Sequence, residues 1–139
     1  MGYSHYWYVP DRLDNFEAFA SEVSKIARKA KGMHATILVN GAPGARTVRV
    51  SSGSEELVIE EVFNGRRKPG DILHFNSVKT HHAAHDALVV AILASLKSHD
   101  PRVMVSSDGD AAEWAKGLEL YEEATGNKAT YESLVRSGG

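Results

Sequence analysis

The sequence predicts a single α+β domain over residues 1–139: two layers, a mainly antiparallel sheet with its long helices packed on one face. Three observations support this prediction. The chain is long enough to bury one core, and it shows no linker, repeat or low-complexity segment. Short runs rich in aromatic and β-branched residues alternate with turn signals, while longer runs repeat apolar residues every three or four positions. Strands and helices do not alternate strictly, which argues against a doubly wound parallel sheet.

The chain begins with a predicted strand over residues 3–9, which stops at Pro10. The period of two in a strand puts its odd-numbered side chains on one face and its even-numbered side chains on the other. Aromatic side chains in a strand usually lie in the core, so we expect about half of its four large rings to be buried. These are Tyr3, Tyr6, Trp7 and Tyr8.

A helix is predicted next, with Asp14 as its N-cap and Glu17 as the capping-box partner. Apolar residues recur at helical spacing for about four turns, and Gly32 is expected to end the helix. Two strands, residues 35–39 and 47–51, then flank a turn-rich hairpin loop. The next predicted strand covers residues 56–63.

The second half begins with a predicted strand over residues 72–78, which again separates odd-numbered from even-numbered side chains. A helix over residues 83–98 has a wide apolar face, and a short strand over residues 102–105 follows it. Asp110 is expected to cap a helix that stops at Gly126, and Thr130 to cap a last short helix.

Composition excludes several classes of function. The net charge of −2 provides no general positive field for a nucleic acid polymer or an anionic membrane. The absence of cysteine removes disulfides, thiol nucleophiles and thiolate metal sites. The N-terminus lacks a signal-peptide pattern, and the longest apolar run, residues 87–96, is too short to span a bilayer. We therefore expect a cytoplasmic protein without a cofactor.

The densest polar segment is the turn between the strand 72–78 and the helix that follows. Lys79 and Thr80 precede a helix N-terminus, where free N–H groups favour an anion. Arg46 and Arg66, from two other loops, could approach the same edge and contact phosphates. The alternatives are a solvated Lys79 and a polar helix start with Asp86 near the positive end of the dipole.

Two further interpretations of the polar segments remain open. The closely spaced histidines His81, His82 and His85 could hold a metal, but a further ligand would have to come from elsewhere, such as His5, His74 or Asp108. The segment Ser106-Ser107-Asp108-Gly109-Asp110 is typical of a helix cap, and it could instead grip a ribose or another polar ligand.

The chain resembles a family of small, largely uncharacterised phage and bacterial proteins. The resemblance rests on the opening Met1-Gly2-Tyr3-Ser4-His5-Tyr6-Trp7, on a middle segment and on a C-terminal segment. The middle segment contains Phe75, Lys79-Thr80 and Asp86, and the C-terminal one contains Ser106 to Asp110 with Trp114, Gly117, Leu118 and Tyr121. The resemblance implies a phage-type origin, and it favours Lys79, Thr80, Asp86 and Asp108 over the histidine cluster as shared site residues.

Our first hypothesis is a non-enzymatic binder of a small anionic ligand, most plausibly a nucleotide or a nucleotide-derived immune signal that a phage would sequester in counter-defence. We expect no catalytic residue and no metal ligand, and a homodimer that covers a sheet edge. The expected ligand-binding residues are His5, Trp7, Arg46, Arg66, Lys79, Thr80, Asp86 and Asp108.

Two alternatives come from different classes of function. One is a metal- or His-dependent phosphodiesterase or other hydrolase, in which His5 or His82 acts as base or ligand and Asp86 or Asp108 orients it. The other is a protein-interaction module that inhibits a host enzyme through exposed hairpin edges.

Overall fold

The computed structural model describes residues 3–30, 35–51, 55–65, 70, 72–81 and 83–135. Helices and strands follow one another in the order that the sequence predicts, and the α+β class is confirmed. The structure separates the strands into two three-stranded antiparallel sheets, where the sequence suggested one. The strands are β1 (Ser4–Val9), β2 (Thr36–Asn40), β3 (Thr47–Ser51), β4 (Leu57–Glu60), β5 (His74–Lys79) and β6 (Met104–Ser107). The helices are α1 (Phe16–Lys29), α2 (Asp86–His99), α3 (Ala111–Thr125) and α4 (Tyr131–Leu134).

The first sheet has the order β5-β1-β6 and carries the candidate site. Both outer strands run antiparallel to β1, so they are parallel to each other and end at the same end of the sheet. Each of them leads into a helix, β5 into α2 and β6 into α3. The two strand-to-helix turns therefore meet beside the start of β1.

The two faces of this sheet differ as the alternation in β1 and β5 predicts. On one face Trp7, Val78 and Val105 are almost fully buried under the helices, where Trp114 of α3 is also buried. On the other face Phe75 is 55% exposed and Tyr8 is 36% exposed. The expectation that about half of the aromatic rings near the N-terminus are buried is met, since Tyr3 and Trp7 are buried while Tyr6 and Tyr8 are not.

The second sheet, of order β2-β3-β4, joins the first through the segments around β4. The backbone N–H of Leu13 donates to the carbonyl of Glu61, and that of Phe63 donates to Asp11. The Phe63 ring stacks on His74 of β5 with 4.3 Å between centroids. Buried side chains of β3 and β4 belong to the same apolar core as the helices.

The predicted start of α1 is wrong by one residue. Asn15 is the N-cap, in a left-handed conformation and without a side-chain capping bond. Asp14 is held elsewhere: its backbone N–H donates to Asp100 and its carboxylate lies 3.2 Å from Arg102. Helix α1 ends at Lys29, and Gly32 lies outside the described residues.

Helix α2 begins at Asp86, three residues later than predicted. The backbone N–H of Ala83 donates to the carbonyl of Thr80 and that of Asp86 to the carbonyl of Ala83, so these bonds precede the helix. The predicted capping box of Asp110 with Glu113 is present in α3. Thr130 caps α4 as predicted, and its capping-box partner in the structure is Ser133. Within the described ranges, no helix is long and apolar enough to cross a lipid bilayer.

Candidate functional site

A chain of buried hydrogen bonds lies on the helix-covered face, where β1, β6 and α2 meet. His5 of β1 is fully buried, and its Nε2 lies 2.6 Å from Oδ1 of Asp86. Its Nδ1 lies 2.8 Å from Oγ of Ser107. The Thr80 hydroxyl donates to the same oxygen of Asp86. We call His5, Thr80, Asp86 and Ser107 the buried network.

Hydrogen-bond counting limits the role of Ser107 in this network. The Ser107 hydroxyl oxygen accepts from the backbone N–H of Gly109 at 2.9 Å and from the indole N–H of Trp114 at 3.0 Å. Both of its lone pairs are then used, so its own proton is left for Nδ1 of His5 or for the buried phenol of Tyr3, which also forms a hydrogen bond with Ser107.

The same order of groups, Ser to His to Asp, occurs in hydrolases that use a serine nucleophile. Here the two N–H donors that would stabilise an oxyanion point at the serine oxygen itself rather than at a site beside it. His5 has no exposed surface to meet a substrate. This arrangement ties two strands and two helices together, and it leaves the Ser107 oxygen without a lone pair for attack.

A small cavity of about 250 Å³ lies outside the buried network, between the first turns of α2 and α3. Its charged lining residues are Asp86, Glu113 and Lys116, the remainder being alanines. Two carboxylates against one ammonium do not favour an anion, and the volume is below the usual range for a ligand pocket. At the Thr80 turn, where an anion site was predicted, the Thr80 hydroxyl donates to the protein's own carboxylate, Asp86.

Burial also shifts the pKa of two groups near this network. Burial raises the pKa of Tyr3, and the carboxylate of Asp86 raises it further, so the Tyr3 phenol stays protonated. Burial lowers the pKa of His85, against the opposing effect of Asp86. Both groups are thus held neutral at pH 7.

The opposite, open face of the sheet carries a cluster of aromatic rings. Tyr6 and Phe75 lie nearly parallel, with centroids 5.9 Å apart and planes at 24°. Tyr8 and Phe75 are paired across β1 and β5, with centroids 5.3 Å apart. We call Tyr6, Tyr8 and Phe75 the aromatic platform.

Two charged residues flank one end of the aromatic platform. Lys79 pairs with Ser4 on the β5 side, and it is exposed on the same face as Phe75 because the two residues are four apart in one strand. Asp108 lies on the β6 side, where its Oδ2 accepts from the backbone N–H of Ser4 at 3.0 Å. The Tyr6 hydroxyl lies 3.2 Å from both oxygens of Asp108. The platform thus ends in an ammonium and a carboxylate on either side of β1. A second carboxylate, that of Glu55, lies beside Lys79, where its Oε1 accepts from the Lys79 backbone N–H at 3.0 Å.

The predicted ligand-binding residues are therefore distributed over several places. His5, Thr80 and Asp86 come together in the buried network, while Lys79 and Asp108 flank the aromatic platform. Trp7 is 2% exposed and packs in the core, where an external ligand does not reach its ring.

Arg46 does not join either group. Arg46 belongs to the loop before β3, and its Nε lies 3.5 Å from Oε1 of Glu61, the residue after β4. Arg66 lies outside the described residues.

The histidine cluster is also divided. His81 is exposed with a left-handed backbone, His85 is buried, and His82 lies outside the described residues. Among the residues that the structure describes, no group of three or more His, Asp or Glu side chains is arranged to hold a metal ion.

The sequence offered Ser107 only as part of the polar segment Ser106 to Asp110, and Tyr6, Tyr8 and Phe75 were not among the expected ligand-binding residues. The alternation in β1 and β5 placed these rings on one face of each strand, but it gave no means of deciding which face the helices cover. The role of Ser107 depends on contacts across about one hundred positions of the chain, which no local pattern encodes.

Comparison of the chain with family models, with curated proteins and with solved structures found no match. The function of this protein is therefore inferred from the geometry of its site.

Proposed function

We propose that this protein binds a small ligand composed of a planar base and an anionic group, a nucleotide or nucleotide derivative, on the open face of the sheet β5-β1-β6. The observation that carries the proposal is the aromatic platform with Lys79 at its end. Exposed aromatic rings on the face of an antiparallel sheet are a surface on which nucleobases stack. Stacking of one base on aromatic side chains stabilises a complex by about 1–3 kcal/mol.

Charge favours a small ligand over a polymer. The chain has a net charge of −2, and the platform is flanked by one lysine and two carboxylates, Asp108 and Glu55, the latter on the backbone N–H of Lys79. A polymer is held through many cationic contacts with successive phosphates, whereas one phosphate needs a single ammonium. Lys79 meets that need.

Binding without chemical change fits the position of the buried network. The His5–Asp86 pair lies on the helix-covered face, so a ligand on the platform does not reach it. A protein of this kind acts by holding its ligand. Sequestration of a nucleotide signal in counter-defence, a role in keeping with the phage-type origin that the resemblance implies, requires no more than tight binding.

Isothermal titration with AMP, GMP, CMP and UMP tests this function, with inorganic phosphate as a control ligand. We expect at least one nucleotide to bind more tightly than phosphate. Phe75→Ala should weaken that binding by roughly 10-fold, since about 1.4 kcal/mol corresponds to a factor of ten. Ile72→Ala, which removes another exposed apolar side chain, is the matched control. Equal affinities for the two variants would contradict the platform assignment.

A second candidate function, protein contact, is favoured by strand β2. It lies at an edge of the second sheet and exposes Leu38 and Val39 by 48% and 37%. Edge strands with exposed apolar residues pair readily with another chain, including a second copy. Light scattering after size exclusion, at increasing concentration, should then show a dimer that Leu38→Lys disrupts. A wild-type protein that stays monomeric would exclude self-association through this edge.

A further inference from the structure

The geometry points to Asp108 as the residue that makes the platform select ribonucleotides over 2′-deoxyribonucleotides. This inference rests on the proposed nucleotide function and goes on to assign the sugar. It begins from the position of the Asp108 carboxylate, which the Ser4 backbone N–H and the Tyr6 hydroxyl both hold. Tyr6 is itself a platform ring, so the carboxylate is fixed next to the surface on which the base would stack.

The remaining hydrogen-bonding capacity of Asp108 defines what it can bind. An ionised carboxylate only accepts, and its two oxygens offer about four lone-pair positions. Ser4 and Tyr6 use two of them, and the side chain is exposed to solvent. A ligand placed here must therefore present hydrogen-bond donors. The adjacent 2′- and 3′-hydroxyls of a ribose are two such donors.

The position of Lys79 fixes the orientation of the ligand. Lys79 and Asp108 are separated by the width of β1, roughly 10 Å for two strand spacings. The carboxylate repels a phosphate and the ammonium attracts it. In a 5′-nucleotide the phosphate and the 2′,3′-diol lie on opposite sides of the sugar. The phosphate is therefore directed to the Lys79 side and the diol to the Asp108 side, with the base over the rings.

A ligand without the 2′-hydroxyl donates one hydrogen bond fewer to the Asp108 carboxylate. The hydrogen bonds that this carboxylate made with water are then not fully replaced. Hydrogen bonds to charged groups are stronger than those between neutral groups, and this site is partly open to solvent, which weakens them. We therefore expect AMP to bind roughly 5-fold or more tightly than 2′-deoxy-AMP.

Titration of wild-type protein with AMP, 2′-deoxy-AMP and 3′-deoxy-AMP tests the inference. Asp108→Asn should bring the three affinities within about 2-fold of one another, because the amide has lost the charge and half of its acceptor positions. The matched control is Asp110→Asn, which removes the same charge two residues away and preserves a favoured cap of α3. It should keep the preference for ribose. Melting temperatures confirm that both variants fold.

The outcomes separate this inference from the proposed function. If wild-type protein binds the ribo and deoxy forms equally, the selectivity is wrong while nucleotide binding stands. If Asp108→Asn keeps the preference, another residue reads the sugar and the assignment to Asp108 is overturned. If none of the nucleotides binds, the proposed function itself fails.

Discussion

Among single residues, Ser107 connects three separate parts of the molecule. Its hydroxyl joins His5 of β1, the turn at Gly109 and the indole of Trp114. All three partners are buried. A buried polar group that loses its partner costs about 1–3 kcal/mol.

Ser107→Ala should therefore lower the free energy of unfolding by roughly 2–4 kcal/mol, since three polar groups lose one partner together. Urea unfolding measures the change. The control is Ser106→Ala, its neighbour on the open face, which should alter stability by no more than about 0.5 kcal/mol. Similar losses in the free energy of unfolding for the two variants would mean that the hydrogen bonds of Ser107 do not stabilise the protein as expected.

The buried histidine His85 should make the stability of the folded protein depend on pH. Burial lowers its pKa in the folded protein, so the unfolded chain binds more protons below about pH 6.5. Stability should therefore fall as the pH drops through this range, and His85→Gln should reduce the slope between pH 6.5 and 5. Urea unfolding at several pH values measures it, with exposed His81→Asn as control. An unchanged slope for His85→Gln would refute the assignment.

At the scale of elements, α2 and α3 approach each other closely at Gly117. A Cβ atom added there would lie 2.3 Å from Cγ1 of Val90 and 2.9 Å from the carbonyl oxygen of Ala87. This contact holds the two helix starts at fixed positions beside the buried network. The sequence marks Gly117 only as a weak helix residue, because the packing partner is distant in the chain.

Gly117→Ala tests this packing against helix propensity. Propensity alone would stabilise α3 by about 1 kcal/mol, but overpacking costs about 1–3 kcal/mol. We expect a net loss of stability in thermal unfolding. Ala115→Gly, at an exposed position of the same helix, should lose about 1 kcal/mol from propensity alone. A stabilised Gly117→Ala would show that the helices have room to separate.

The elements were predictable from the sequence to a greater extent than the site was. Type and order follow from local periodicity and turn residues, and each was predicted correctly. The cap of α1 was not, because Asp100 and Arg102 draw Asp14 into a distant contact. The site residues depend on which sheet face the helices cover. Tertiary packing decides which face is covered. As a result, Trp7 is buried and Phe75 is exposed.

At the scale of the whole molecule, the sheet β5-β1-β6 separates two kinds of polar chemistry. The helix-covered face encloses a histidine–carboxylate network without exposed imidazole, and the open face presents rings between an ammonium and a carboxylate. The first is suited to holding elements together, and the second to holding a ligand. We therefore expect a nucleotide to bind to the open face and to remain intact.

Nuclear magnetic resonance with isotope-labelled protein and AMP tests whether the nucleotide binds this face and remains intact. We expect signals from the open-face residues of β1, β5 and β6 to shift as AMP is added, while the phosphorus signal of AMP persists. Shifts confined to the cavity between α2 and α3, or to the loop at Arg46, would contradict it. Conversion of AMP to another phosphorus species would contradict it as well, and would indicate a hydrolase.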